Sequence, residues 1–216
     1  MIISRGRRYI FVHIPKTGGT ALSLALEARA MKDDILIGDT PKAVQRRRRL
    51  KGVTTAGRLW KHATLADIDG LVSLDELDGM FLFTLVRNPW DRMVSYFHWL
   101  RGQTFEHPAV TLARRTEFPE FAAHPATRES FRSAPARTYL TDAEGTERPA
   151  QYIRLEHLAE DLEPVEAHLG FRLNDLSTFN VSKRVRDYRI YYDDALAALV
   201  GDACREDIER FDYAFG

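Results

Sequence analysis

Cysteine is almost missing from this chain of 216 residues, which contains only Cys204. A single thiol excludes an internal disulfide framework and a zinc site built on cysteines. Long apolar runs are missing too. None approaches the ~18–20 residues that a membrane helix needs. Net charge is also lacking, since 31 Lys+Arg balance 31 Asp+Glu. As an average, that argues against a general nucleic-acid coat and against a polybasic membrane-surface protein. The start, Met1 to Arg8, does not have the form of a signal peptide, because His13, Pro15 and Lys16 interrupt the only long apolar stretch near it. Together these features predict a cytoplasmic location. One segment lacks acid altogether. Between Thr40 and Ala66 there is no Asp or Glu, while Lys42, Arg46, Arg47, Arg48, Arg49, Lys51, Arg58 and Lys61 give it a charge of +8.

What remains is ordinary for a soluble globular protein: 44% hydrophobic and 29% charged residues. The length suits a single domain, 1–216. Tyr9–Ile14 is a short apolar run and predicts a buried strand. Thr20 to Met31 follows with helical spacing and is apolar nearly all round, so the helix is expected to be buried. Ile35–Ile37 predicts another short strand. Ser73 and Glu76 have capping-box spacing before a short helix. Met80–Val86 is continuously apolar, as in a strand covered on both faces. Asn88-Pro89 then reads as a helix start running to about Leu100. Gln103 to Gly145 mixes short helices with loops. Gln151–Leu155 predicts a strand, and Leu158–Leu169 a helix interrupted at Pro164 and closed by Gly170. Asp194 to about Arg210 predicts a last helix with Cys204 on its apolar stripe, a core thiol. Alternating strands and helices give the expected fold class: α/β, three-layer, with a mainly parallel central sheet.

Two constellations carry chemistry. His13-Ile-Pro-Lys-Thr-Gly-Gly-Thr20 is a strand–loop–helix junction with the makings of an anion cradle. Gly18 and Gly19 let the backbone curl around the anion. Their amides, with those of Thr20 and Ala21, open the helix toward it. Thr17 and Thr20 add hydroxyls, and Lys16 adds a mobile charge. The lysine precedes the glycines, so this is not a Walker A motif. The second constellation is Leu85 to Ser95. Arg87 stands at the carboxyl end of a strand, where open α/β sheets bind ligands, and its guanidinium can fork onto a phosphate. Ser95 could add a hydroxyl from the following helix. The plainer alternative is that Arg87 pairs with a carboxylate such as Asp91. A magnesium-dependent NTPase would more naturally end this strand in Asp.

Together, Pro15-Lys-Thr-Gly-Gly-Thr20 and, about seventy residues later, Val86-Arg-Asn-Pro-Trp-Asp-Arg-Met-Val-Ser95 resemble sulfotransferases that use 3′-phosphoadenosine-5′-phosphosulfate (PAPS). The closest resemblance is to the carbohydrate sulfotransferase family 2 type, which includes the heparan sulfate 2-O-sulfotransferases. Trp60-Lys-His-Ala-Thr64 and Asn180-Val-Ser-Lys-Arg184, with Tyr188, Tyr191-Tyr-Asp193 and the closing Asp212–Phe215, extend it. The resemblance implies that Lys16, Thr17, Gly18, Gly19 and Thr20 form a P-loop-like 5′-phosphosulfate loop. It implies that Arg87 and Ser95 hold the 3′-phosphate, and that Ser182 and Arg184 make lesser nucleotide contacts. The cofactor would be PAPS, with adenosine 3′,5′-bisphosphate as product and no metal required. The acceptor would be a hydroxyl on a glycan or glycolipid, with no nucleic-acid partner.

An acceptor hydroxyl must lose its proton, and a histidine is a suitable base. Among seven histidines, His62 matches the segment that supplies the catalytic histidine in the related 2-O-sulfotransferases. Lys16 would then stabilise the leaving nucleotide. The Arg46–Arg49 run is either a solvated helix face or a sign of an anionic acceptor. Two other readings compete: a P-loop-type nucleotide kinase or ATPase, and a non-catalytic polyanion-binding module that uses the basic segment.

Overall fold

The computed structural model describes residues 1–173, 176 and 185–216. The chain divides into two compact units, Met1–Val86 with Ala136–Asn180, and Arg87–Pro135 with Val181–Gly216.

The first unit is built on a five-stranded sheet. Its strands are β1 (Ile2–Ser4), β2 (Tyr9–Val12), β3 (Ile35–Leu36), β4 (Phe81–Val86) and β5 (Gln151–Arg154), in the order β3-β1-β2-β4-β5. The pairs β2–β4 and β4–β5 are parallel, as the alternation of elements predicts. The pairs β1–β2 and β1–β3 are antiparallel, so the sheet is mixed. The sequence pattern, which starts the sheet at Tyr9, does not predict β1. Its three residues carry no alternation to detect, and its turn is written in arginines rather than in Asn-Gly. Arg8 closes that turn at φ 53°, with its amide donating to Arg5 O.

The alternation of side chains explains why these strands read as unbroken apolar runs. Tyr9, Phe11, Phe83, Leu85 and Ile153 point to one core. There they meet Leu22 and Leu26 of α1 (Gly19–Ala28), and Val165 and Leu169 of α10 (Glu163–Leu169). Ile10, Val12 and Leu82 point to the other core, against Leu65, Ile68, Val72 and Leu140, and Leu77 of α3 (Leu74–Asp78). Both faces are covered, so this unit is a three-layer α/β structure. Ser73 caps α3 by accepting from the Glu76 amide at 3.2 Å, as the spacing predicts. Gly170 closes α10 at φ 73°. The expected Pro164 interruption is present, since α9 (Leu158–Asp161) ends and α10 restarts with Pro164 in its first turn.

The second unit is helical. α4 (Pro89–Arg101) buries Trp90, Met93, Val94, Phe97 and Leu100, the stripe expected from its spacing. Around it pack α5 (Pro108–Arg115), α6 (Phe118–Ala123), α7 (Pro125–Arg132) and α11 (Asp194–Ala203). The segment from 103 to 135 is therefore more regular than its composition suggests. His107 and His124 are N-caps there, with Nδ1 accepting from the amides of Ala109 and Ala126. The single last helix expected over 194–210 is two, α11 and α12 (Arg205–Phe211). The backbone leaves the helix at Cys204, with φ −112° and ψ 17°. The four-residue spacing of Leu196, Val200, Cys204 and Ile208 continues across that break, so periodicity does not reveal it. Cys204 is a core thiol, and burial pushes it up to about 12.

Asn88 fixes the start of α4. Its Oδ1 accepts from the amides of Trp90 and Asp91, at 3.1 and 3.4 Å. Its Nδ2 donates to Tyr188 Oη at 3.2 Å and to Ala214 O at 2.9 Å. Tyr188 Oη in turn donates to Phe215 O, and the Phe215 ring meets those of Trp90, Tyr188 and Tyr192 edge-on. The tyrosines and the closing Asp212–Phe215 therefore brace α4. Replacing Asn88 with alanine removes a cap and two tertiary hydrogen bonds, so it should cost about 2–3 kcal/mol. Urea unfolding measures this directly.

Candidate functional site

The junction between β2 and α1 is shaped by three local features. Thr17 is buried, and its hydroxyl donates to Ile14 O at 2.9 Å, tying the loop back on itself. Lys16 sits at φ 67°, an uncommon left-handed conformation for a side-chain-bearing residue. Such conformations cluster at ligand sites. Gly18 is the N-cap of α1 at φ 89° and offers no side-chain cap. A helix that starts in this way leaves its first amides pointing outward without partners of its own.

Glycine is required at 19 for a different reason. A Cβ there would stand 2.5 Å from Nε2 of His13 and closer still to Cδ2. The imidazole occupies the space a side chain would need. At Gly18 an added Cβ would also meet Leu155, at 3.0 Å. The loop is therefore held between β2's exit and β5's exit, at the carboxyl edge of parallel strands where α/β sheets bind ligands. β2 and β4 end together there, with Val12 opposite Thr84.

Two groups expected at the anion are also bonded within the chain. The Thr17 hydroxyl is spent on Ile14, so that residue can offer only its amide. The Ala21 amide donates to Gly18 O at 3.1 Å. A tight first turn of this kind forms whenever the cap carbonyl accepts from three residues on. Gly18, Gly19 and the exposed Thr20 keep their places at the helix start.

His62 is brought to the same end of the unit. Its Nδ1 lies 2.7 Å from His13 O. A carbonyl only accepts, so Nδ1 must carry the proton, and Nε2 holds a lone pair. The rings of His13 and His62 meet edge-on with centroids 4.7 Å apart, and Trp60 meets His62 at 5.0 Å. Burial, aided by the Lys61 ammonium, lowers His62 to about 4, against the bond to His13 O, which raises it. The imidazole is thus neutral at physiological pH.

The basic segment is largely occupied. Lys42 Nζ donates to Glu27 O, near the end of α1. Arg46 donates to Met31 O and Asp34 O, and Arg49 to Lys32 O and Asp34 O. These cations neutralise a helix C-terminus and the turn after it. Lys61 pairs with Asp39 at 2.6 Å, and Arg58 lies over the Trp60 ring. Arg47, Arg48 and Lys51 remain exposed. The run is thus partly a structural clamp rather than a bare polyanion surface.

In the second unit, Arg87 follows β4 directly. Its Nε and Nη2 both reach Asp91 Oδ2, at 3.0 and 2.5 Å, with both side chains mostly covered. The plainer alternative is therefore realised, and the carboxylate orients the guanidinium. Ser95 lies one turn beyond Asp91 on α4, half-buried and off the apolar stripe. Ser182 and Arg184 lie outside the described residues. Among the described residues no three His, Cys, Asp or Glu side chains cluster as a metal site, and no helix is long and apolar enough to cross a membrane.

No protein-family model and no curated protein matches this chain. A similar solved structure is the crystal structure of mouse sulfotransferase SULT7A1 complexed with PAP. It is 17% identical, over 97% of this chain and 87% of that one, with a TM-score of 0.48. At this distance the chemistry of the site has to be derived from the chain's own residues.

Proposed function

We propose that this chain is a PAPS-dependent sulfotransferase that moves a sulfuryl group to a hydroxyl acceptor on a carbohydrate or glycolipid. The observation that carries this reading is the β2–α1 loop. An uncapped helix start and a left-handed Gly18 leave backbone amides open to an anion, and the glycine enforced at 19 lets the His13 ring close against them. PAPS supplies the activated sulfuryl group and two separated anionic ends. Lys16, Thr17, Gly18, Gly19 and Thr20 suit the 5′ end, with Thr17 contributing its amide. Arg87, oriented by Asp91, and Ser95 suit the 3′-phosphate. Ser182 and Arg184 remain candidates for further nucleotide contacts.

His62 is the proposed base. Its Nε2 takes the acceptor's hydroxyl proton as the acceptor oxygen bonds to sulfur and the bond from sulfur to the 5′-phosphate oxygen breaks. Lys16 neutralises the charge left on that oxygen. A base at about 4 is weaker than the optimum near neutrality. Anionic charge beside it raises its basicity. The moving group carries fewer ionised oxygens than a phosphoryl group, so a lysine can serve where a kinase uses magnesium.

Calorimetry with adenosine 3′,5′-bisphosphate and with ATP, each with and without Mg²⁺, tests the reading. The bisphosphate should bind without metal. Lys16→Ala and Arg87→Ala should each weaken it by about 10–100-fold. A preference for Mg·ATP would favour a kinase and sink the proposal. Salt-sensitive heparin binding that survives both substitutions, with no nucleotide bound, would favour a polyanion module. A sulfated product, detected by mass spectrometry from a glycan panel with PAPS, would identify the acceptor.

A further inference from the structure

We infer that His13 is itself a ligand of the anion in the β2–α1 loop, donating through Nε2–H. The inference rests on the nucleotide reading above. His13 leaves the end of β2 and is only 6% exposed. Its ring lies beside Phe11 at 5.9 Å and against His62 at 4.7 Å. Its carbonyl is engaged by His62, whereas neither ring nitrogen has a hydrogen-bond partner among the described residues. A buried polar atom left unsatisfied costs about 1–3 kcal/mol and calls for an explanation.

The direction of the ring supplies one. Its Nε2–Cδ2 edge faces Gly19, the first residue of α1, and fills the place of a side chain there. The unsatisfied nitrogen thus lies beside the amides that open the helix. A bound phosphate or sulfate oxygen would satisfy both. Burial first, and then the positive groups around it, hold the imidazolium form down, so the ring stays neutral. A neutral imidazole keeps one N–H to give. An apolar residue of similar size would pack as well against Phe11 without leaving a nitrogen unpaired. The histidine is accounted for by a ligand that arrives later.

The inference separates two roles of one residue. The main-chain carbonyl of His13 sets the tautomer of His62 and survives any substitution of the side chain. The ring acts on the anion alone. His13→Leu should remove the donor, and His13→Gln should restore one near the same place. The measurement is affinity for adenosine 3′,5′-bisphosphate against adenosine 3′-monophosphate, which lacks the 5′ group. His13→Leu should weaken the bisphosphate about tenfold, His13→Gln should recover to within about threefold, and neither should alter the monophosphate. Equal losses for both nucleotides, or none for either, would overturn the inference and leave the sulfotransferase reading standing. If the unaltered protein binds neither nucleotide, both fall together. Should the leucine variant fail to fold, the ¹⁵N resonance of His13 Nε2 in the unaltered protein decides. It should move on adding the bisphosphate but not the monophosphate, and an unmoved resonance refutes the assignment.

Discussion

His62→Ala is expected to reduce turnover by about 10²–10⁴-fold while leaving bisphosphate affinity within about twofold. The argument is geometric. The Nδ1–H group donates to His13 O, which leaves Nε2 as the only basic atom of the ring. His62→Gln should be nearly as damaging, because an amide keeps a polar contact but cannot accept the proton. The pH dependence has a definite sign. Burial depresses His62 from its ordinary 6.5 to about 4, so the proposed base is unprotonated throughout the neutral range. Turnover should be flat there and fall as acid protonates Nε2. The same shift affects stability. Between 6.5 and about 4 the unfolded chain binds more protons at this site than the folded one. The neutral-ring contribution is complete above 6.5 and is lost as pH falls toward about 4. Thermal melts across this interval should slope less steeply in His62→Ala, with His13 and the buried Met1 amino group among the groups that keep a slope there. Turnover retained in the alanine variant would show that another group is the base.

Gly19→Ala should be as damaging through a different cause. The glycine is needed for space, since the new methyl would overlap the His13 ring. Either the ring or the start of α1 must move. Overpacking of this kind costs about 1–3 kcal/mol. Binding should suffer more than folding, because the displaced atoms are the amides proposed to meet the anion. Loss of bisphosphate affinity of about 100-fold or more is expected, since preorganised contacts fail together. Gly52→Ala is the control. Gly52 has φ 82°, and nothing stands within 4 Å of an added Cβ. It therefore bears only the left-handed strain of about 1–2 kcal/mol and should bind nucleotide normally. If Gly19→Ala binds as well as Gly52→Ala, the loop is not the anion site.

The parts of this molecule legible in the sequence are those whose cause is local. The strand β4, the capped starts of α3 and α4 and the left-handed stop at Gly170 each follow from a handful of adjacent residues. The glycine-rich junction is legible for the same reason. What escapes is set by partners far along the chain. β1 exists because β2 and β3 flank it. Thr17 and Ala21 are a local exception: their hydroxyl and amide bond to Ile14 and Gly18, three residues back, in a way that composition does not announce. His62 stands out as a histidine in a basic stretch. The carbonyl that fixes its tautomer lies forty-nine positions away, and no spacing points to it. The Arg46–Arg49 run looks like one feature, yet Arg46 and Arg49 turn back onto the 31–34 turn while their neighbours face solvent.

The order of the strands also bears on when the glycine loop takes its shape during synthesis. The β1–β2 hairpin closes over the four residues of its arginine turn and can form early. Every parallel pairing waits for a partner about seventy residues later, at the entropic cost of a long closed loop. The glycine loop is made almost at once after that hairpin. Its walls are not, since His62 arrives some fifty residues later and Leu155 only with the exit of β5. A nascent chain therefore carries the glycine loop long before that loop has its walls. On the proposed function, nucleotide capture would be a signature of the completed sheet, and a truncated product lacking β5 would not sequester the donor.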